Sequence, residues 1–433
     1  MTIGRRTVRL PPSDRVKEAL EHIFEGVAHK DFAVCVGDCP QWQPLSSGPP
    51  RYRFRFASPE VLRRVFLRPG ELSLGEAYIH GELEVEGSLL AAFDLVDDLL
   101  AAARSRALRE KMTLAARLLT LPTRTRGYGF RRPSFAGIKH SRPRDQQAIA
   151  YHYELPAEFF SLWLDSAMVY SCAYFRRAED DLELAQQQKM ELVCRKLRLR
   201  TGQRMLDLGC GWGGLVIHAA LRHGVHATGV TLSATQARWA QSRIAALGLE
   251  DLCRVVHADY RTFTHTGEWD AVASVGMFEH VGESNLWPAM RQVYRLLRPG
   301  GSFLLHGITR RFDQPLSRDS FSTRYVFPDG ELEPVSMQLQ AAESVGFELR
   351  DVENLREHYA LTCRHWLDRL TGRRAEALQH VDILKFRIWE LYLAGSVHQV
   401  EHGIINLHQS LLVRPGVSGE SGLPLTREDW YLA

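Results

Sequence analysis

No stretch of about 18 uncharged apolar residues occurs in this chain, so no segment of it reads as a membrane-spanning helix. The richest candidate, residues 89–103, is broken by Asp94, Asp97 and Asp98. The opening Met-Thr-Ile-Gly-Arg-Arg lacks the apolar core of a secretory signal, and a cytoplasmic location is expected. The seven cysteines (35, 39, 172, 194, 210, 253 and 363) are odd in number and scattered, which argues against a disulfide framework. Cys35 and Cys39 have no second pair of ligands near them, so no zinc site is read there and no metal is assigned. A net charge of +3, from 54 basic and 51 acidic residues, is too small to argue for nucleic acid. Internal repeats and low-complexity tracts are also missing.

What remains is an ordinary globular composition, 45% hydrophobic and 24% charged, in a chain of 433 residues that predicts two or three domains. Residues 1–105 mix strand and helix patterns. Tyr52-Arg-Phe-Arg-Phe56 alternates as a half-buried strand does, and amphipathic helices are predicted from Pro59 and from Ser88. Residues 106–145 read as a basic linker, punctuated by Pro122, Gly127, Gly129, Pro133, Gly137 and Pro143. Over residues 104–144 Glu110 is the only acid, so this stretch suits either anionic lipid headgroups or plain solvent, and both readings stay open. From 146 to 433 the pattern predicts a catalytic domain. Strands are expected at 204–208, 226–231, 253–257, 269–274 and 302–308 with helices between them, and a mainly helical end is expected from about 355.

The first of those strands ends in Met205-Leu-Asp-Leu-Gly-Cys-Gly-Trp-Gly-Gly214. Its glycines allow a sharp turn and close approach of backbone to a ligand, as in nucleotide-binding strand-turn-helix units. Ligands of an open α/β sheet sit beyond the carboxyl ends of the strands, so the residues just after each strand decide the ligand. After the second come Thr231, Leu232, Ser233 and Gln236, where a dinucleotide enzyme would usually place a ribose-binding acid. After the third comes Asp259-Tyr260, an acid able to accept from an exocyclic amine beside a ring that can stack. Asp207, the glycine turn and Asp259 together suit the sugar and base of an adenosine without a pyrophosphate. S-adenosylmethionine fits that description, and a class I methyltransferase follows: an α/β, Rossmann-like, mostly parallel sheet with a smaller mixed α+β N-terminal domain. Capping by Asp259 is the plainer alternative.

Beyond the fold, the chain resembles the cyclopropane-fatty-acyl-phospholipid synthases, a family that includes the mycolic acid cyclopropane synthases. The matching segments are His152-Tyr153-Glu154-Leu155, Tyr170-Ser-Cys-Ala-Tyr-Phe175, Leu206 to Gly214, Val230-Thr-Leu-Ser233, Ser274-Val-Gly-Met-Phe-Glu-His-Val-Gly282 and Leu304-Leu-His306. Tyr325-Val-Phe-Pro-Asp-Gly330 and Leu391-Tyr-Leu393 extend the match, with a weaker echo at Leu74-Gly-Glu-Ala-Tyr-Ile-His-Gly81. The resemblance implies methyl transfer to a cis alkene of a phospholipid acyl chain, a carbocation, and proton loss to bound bicarbonate that closes the ring. It maps a bicarbonate cradle onto Cys172, Glu279, His306, Ile308 and Tyr392. It maps S-adenosylmethionine contacts onto Tyr170, Ser171, Gly209, Thr231, Leu232, Gln236, Tyr260 and Gly276, to which the glycine-turn reading adds Asp207, Gly211 and Asp259. It further implies a peripheral enzyme at the inner face of the cell membrane, with the N-terminal domain as docking element, and a homodimer is expected.

Two features depart from the family pattern. His152-Tyr153-Glu154 stands where His-Tyr-Asp is common, followed by Pro156 in place of a small polar residue. His398, Glu401 and His402 fall at helical i, i+3, i+4 spacing, which reads as a packed or solvated helix face before it reads as a metal site. Cys172 has no activating base paired with it in sequence, so covalent catalysis is not expected. The rival readings are methylation of an acyl chain without ring closure, a small-molecule amine methyltransferase, and a lipid-binding protein without catalysis.

Overall fold

A computed structural model describes residues 12–44, 49–123, 135–153, 155–263, 267–314 and 320–431. Glu154 lies outside them, whereas Pro156, the other half of that departure, caps the helix Ala157–Ser161. The chain divides into two compact units, Met1–Arg131 with Ile383–His398, and Arg132–Asp382 with Gln399–Ala433.

In the first unit, β1 (Phe32–Val36) pairs in parallel with β2 (Tyr52–Phe56), and β2 pairs antiparallel with β3 (Leu83–Gly87). The Tyr-Arg-Phe-Arg-Phe alternation puts Tyr52, Phe54 and Phe56 inward. Helices α1 (Pro12–Ile23), α2 (Pro59–Leu67), α3 (Glu71–Ile79), α4 (Leu89–Ser105) and α5 (Leu108–Leu119) complete the unit. The linker reading of 106–145 is therefore corrected over 108–119, while residues 124–134 lie outside the described residues. Leu114 and Leu118, one turn apart on α5, are buried in this unit's core, and the density of arginine hid that periodicity. The unit also takes in a distant part of the chain, Ile383–His398 of the helix Ile383–Glu401. There the Tyr78 hydroxyl donates to Glu390 Oε2 at 2.7 Å, and Arg387 pairs with Glu84 at 3.0 Å. His398 meets Asp97 at 2.7 Å and stacks on Phe93. On the same helix Glu401, in the second unit, pairs with Arg364.

The second unit holds a seven-stranded sheet. Its strands are β4 (Arg204–Leu208), β5 (His226–Thr231), β6 (Cys253–His257), β7 (Trp269–Val275), β8 (Leu297–Arg310), β9 (Glu348–Asn354) and β10 (Ile405–Val413). The order is β6-β5-β4-β7-β8-β10-β9, parallel from β6 to β8, with β10 antiparallel to both of its neighbours. The end from 355 is mainly helical as expected, with helices Arg356–Gly372, Arg374–His380 and Ile383–Glu401, and β10 is the strand not foreseen there: its buried run Gln409–Val413 lies between β8 and the charged edge strand β9. Helices α6 (Arg142–Tyr153), α7 (Ala157–Ser161), α8 (Leu182–Lys196), α9 (Gly214–His223), α10 (Ala234–Ala246) and α11 (Leu286–Leu296) belong to this unit. From β4 the strand order proceeds outward both ways, to β5 and β6 on one side and to β7 and β8 on the other, so the topological switch point falls at the end of β4, where the glycines are.

Candidate active site

The turn after β4 is shaped by backbone that only glycine holds cheaply. Gly209 has φ +82°, and a β-carbon there would sit 2.6 Å from the Met277 β-carbon. Gly211, at φ +53°, faces open space: a β-carbon would meet nothing nearer than the Gln236 amide at 3.9 Å. The amides of Gly209 and Cys210 both donate to the Val230 carbonyl at 2.9 Å, which ties the turn to β5. Above it lies an open cleft.

All of the expected cofactor residues except Asp259 line this cleft: Tyr170, Ser171, Asp207, Gly209, Gly211, Thr231, Leu232, Gln236, Tyr260 and Gly276. Thr231 donates to Gln236 Oε1 at 2.8 Å, and Ser233 caps α10, so the second-strand group forms one hydrogen-bonded corner. Asp259 is spent elsewhere. Arg261 grips its carboxylate with Nε at 2.8 Å and Nη2 at 2.6 Å, and the Arg261 amide donates to Oδ1 at 2.9 Å. Burial raises the Asp259 pKa, but these contacts outweigh it and hold the group below its ordinary value. The capping alternative is the geometry observed, and the adenine-binding expectation for Asp259 is corrected accordingly.

Several lining residues carry no expected site role from the sequence: Trp212, Met277 and His280, which lie within the matching segments, and Lys189, which lies outside them. Lys189, 2% exposed on α8, donates to Ser171 Oγ at 2.8 Å. On the same helix Gln186 donates to the carbonyls of Ser171 (2.8 Å) and Val169 (3.3 Å). Together they fasten the strap 169–172 against α8. Burial pushes the Asp207 carboxyl up and the Lys189 ammonium down, and their mutual attraction offsets only part of each shift. Burial also lowers His280 to about 4, so its imidazole is neutral. Around the Tyr170 ring stand Trp366 at 5.2 Å, Trp163 at 5.3 Å and Phe160 at 6.1 Å. These three rings are buried behind Tyr170, which alone of the four lines the cleft and carries a ring whose face suits cationic charge.

Of the five cradle residues, Glu279 and His306 come from segments laced together. The Gly276 amide donates to the His306 carbonyl at 2.9 Å, and the Ile308 amide donates to Glu279 Oε1 at 2.7 Å. Ile308 thus acts by orienting Glu279, since its one amide hydrogen is taken. Glu279 Oε2 and His306 Nε2 are buried without a hydrogen-bond partner. Burial lifts the Glu279 carboxyl to about 7, with the Ile308 amide opposing, and drives His306 well below its ordinary value. Gln409 Nε2 donates to the Nδ1 of this neutral imidazole at 3.2 Å, which leaves the proton on Nε2. Cys172 is fully buried, its thiol reaching the carbonyls of Ala173 (3.2 Å) and Leu355 (3.9 Å), and burial pushes that thiol far above its usual range. Tyr392 belongs to the first unit, on the helix Ile383–Glu401, with its ring edge-on to Trp389.

A glycine-turn cleft at the switch point of a β6-β5-β4-β7-β8-β10-β9 sheet defines a class I S-adenosylmethionine-dependent methyltransferase. Within that class, residues 140–410 match the family model described as mycolic acid cyclopropane synthetase, and the chain belongs to this family of enzymes. It is 40% identical over 367 residues to a probable fatty acid methyltransferase of Pseudomonas putida, covering 84% of this chain and 87% of the relative. It is 34% identical over 375 residues to the cyclopropane-fatty-acyl-phospholipid synthase of Escherichia coli K12, covering 86% and 90%. Among solved structures, mycolic acid cyclopropane synthase CmaA1 complexed with SAH and CTAB aligns with a TM-score of 0.59 at 31% identity, over 62% of this chain and 97% of its own.

Proposed function

We propose that this protein transfers the methyl group of S-adenosylmethionine to a cis double bond in the acyl chain of a phospholipid, and that proton loss then closes a cyclopropane ring. The observation that carries the reading is the pair of buried, partnerless atoms Glu279 Oε2 and His306 Nε2, on segments tied to the rim of the cofactor cleft. Bound S-adenosylmethionine supplies an electrophilic methyl on a sulfonium, and bicarbonate would supply the proton acceptor. An alkene attacks without help from a base, its π pair forming the new C–C bond as the C–S pair returns to sulfur. The carbocation left behind needs apolar surroundings and a π face, for which Tyr170, backed by buried aromatic rings, is the candidate. One proton must then leave the new methyl group so that its C–H pair closes the ring.

The donor set fits a bicarbonate. His306 keeps its proton on Nε2 and can donate it to an anion's oxygen. Glu279 titrates near 7, so it can share a proton with an anion that an ionised carboxylate would repel. The roles of Cys172 and Tyr392 in this cradle rest on the family resemblance. A second reading, methylation without ring closure, is favoured by the higher identity to the Pseudomonas putida relative. It uses the same acceptor but takes the proton from a chain carbon. Incubation with S-adenosylmethionine and unsaturated phospholipid vesicles, followed by mass spectrometry of the fatty acids, separates the two. A gain of one methylene with loss of the alkene supports ring closure, and a gain with unsaturation retained supports the second reading. Turnover of amines alone would sink both.

A membrane surface is part of the same proposal. On α5 the side chains of Leu108, Met112 and Leu119 are 74%, 65% and 57% exposed beside Arg109 and Lys111, the composition of an interfacial helix. Among the described residues no helix is long and apolar enough to cross a membrane. Flotation with anionic against neutral vesicles tests this docking, and sedimentation tests the expected homodimer.

A further inference from the structure

Away from the cofactor cleft, α8 and α9 bring four chemically matched side chains together. Glu191 and Cys194 stand one turn apart on α8, and His218 and His223 stand on the last turns of α9. The Cys194 Sγ and a ring nitrogen from each histidine all lie within 4.8 Å of one another. Glu191 Oε2 meets Nε2 of His218 at 3.1 Å and Nε2 of His223 at 3.2 Å, while Arg195 Nε holds the other carboxylate oxygen at 2.7 Å.

We infer that Glu191, Cys194, His218 and His223 form a binding site for one borderline-soft divalent cation, zinc before others. In a tetrahedral zinc site with bonds of about 2.0–2.3 Å, neighbouring ligand atoms stand about 3.3–3.8 Å apart. Glu191 Oε2 already stands at about that spacing from each imidazole, at 3.1 and 3.2 Å, and Cys194 Sγ lies within 4.8 Å of a ring nitrogen of each. One thiolate with two imidazoles and a carboxylate selects zinc over calcium or magnesium, which take oxygen ligands.

Two further features separate this from a plain hydrogen-bond cluster. Two imidazole nitrogens converge on a single carboxylate oxygen beside a fully buried thiol, and a thiol adds little to a hydrogen-bond network. His223 ends α9, where the helix dipole concentrates negative potential that favours a cation, and His218 stands in the turn before it. Arg195 fixes the carboxylate so that Oε2 faces inward, the outer support that metal ligands need. The His218 and His223 side chains, 13% and 17% exposed, leave a way in from solvent. A bound cation would join α8, which holds the strap 169–172, to α9, which begins at the glycine turn.

The test uses the full chain, stripped with a chelator and titrated calorimetrically with zinc chloride, then with cobalt chloride under a spectrophotometer. One equivalent of zinc should bind. Cobalt should give thiolate charge-transfer absorption that Cys194→Ser abolishes, and His223→Gln should weaken zinc binding at least tenfold. Because Cys194 is buried and its substitution could unfold the chain, the partly exposed His223→Gln carries the test by itself. Absence of stoichiometric zinc binding overturns the assignment, as does unchanged affinity in His223→Gln or a cobalt spectrum without thiolate character.

Discussion

Replacing Glu279 with glutamine should change how stability depends on pH, by an amount that follows from the burial of one carboxyl. The folded protein holds this group at about 7 against an ordinary 4.5, and burial is the leading cause. A raised carboxyl pKa means that the folded state binds more protons than the unfolded state between those two values. Stability from this group is therefore full below pH 4.5 and is lost as pH rises through 7. The whole displacement corresponds to about 3 kcal/mol. Of this, about 2 kcal/mol falls between pH 5.5 and pH 8, where the fold can be titrated safely. Glu279→Gln keeps an oxygen for the Ile308 amide and removes the titration. Urea unfolding of both proteins across that range should show the wild type losing about 2 kcal/mol relative to the variant as pH rises. A flat difference, or one of opposite sign, would mean that Glu279 is ionised in the folded state. The shared-proton account of the cradle would fall with it.

His306→Ala should lower turnover by about 10²–10⁴, the usual worth of a positioned proton-handling group, with S-adenosylmethionine affinity changed only a few-fold. Equilibrium binding set beside product formation checks this, and an equal loss of affinity would make His306 a binding residue. Cys172→Ser should keep turnover within about tenfold, about 1.4 kcal/mol of barrier, because a thiol held neutral by burial is no nucleophile. A collapse of activity in a folded Cys172→Ser would refute that. Gly209→Ala must hold alanine at φ +82° with its β-carbon 2.6 Å from that of Met277. It should cost about 2–4 kcal/mol in urea unfolding, and wild-type stability would show that the turn relaxes more easily than its contacts imply.

The legible parts of the fold were those where one residue pattern admits one backbone. The bounds of β4, β5 and β6 follow from short apolar runs closed by turn residues, and the glycine turn follows from positions that demand positive φ. What stayed hidden depended on contacts between distant segments. Nothing local marks Ile383–His398 as belonging with residues some three hundred positions earlier. Strand β10 follows a long helix with little turn signal and finds its place only between β8 and β9. Lys189 reads in sequence as an ordinary helix-face charge, and only its burial against Ser171 brings it to the cleft. Asp259 failed in the other direction. A strand-end acid beside an aromatic suits adenine, but Arg261 two residues later was free to claim it.

Glu279 and His306 account for where a proton can go, but not for which proton leaves. Ring closure and branching share the methyl transfer and the cation, and they diverge only in the C–H bond that faces the acceptor. That choice belongs to whatever fixes the acyl chain relative to the Glu279–His306 pair, not to the pair itself. Substitutions at the pair should therefore slow both products alike and leave their ratio unchanged. Substitutions that reshape the apolar wall around Tyr170, such as Phe160→Leu or Trp163→Phe, should move the ratio of ring to branch with smaller effects on total methyl transfer. A ratio that follows Glu279 and ignores the wall would place product control in the acceptor instead.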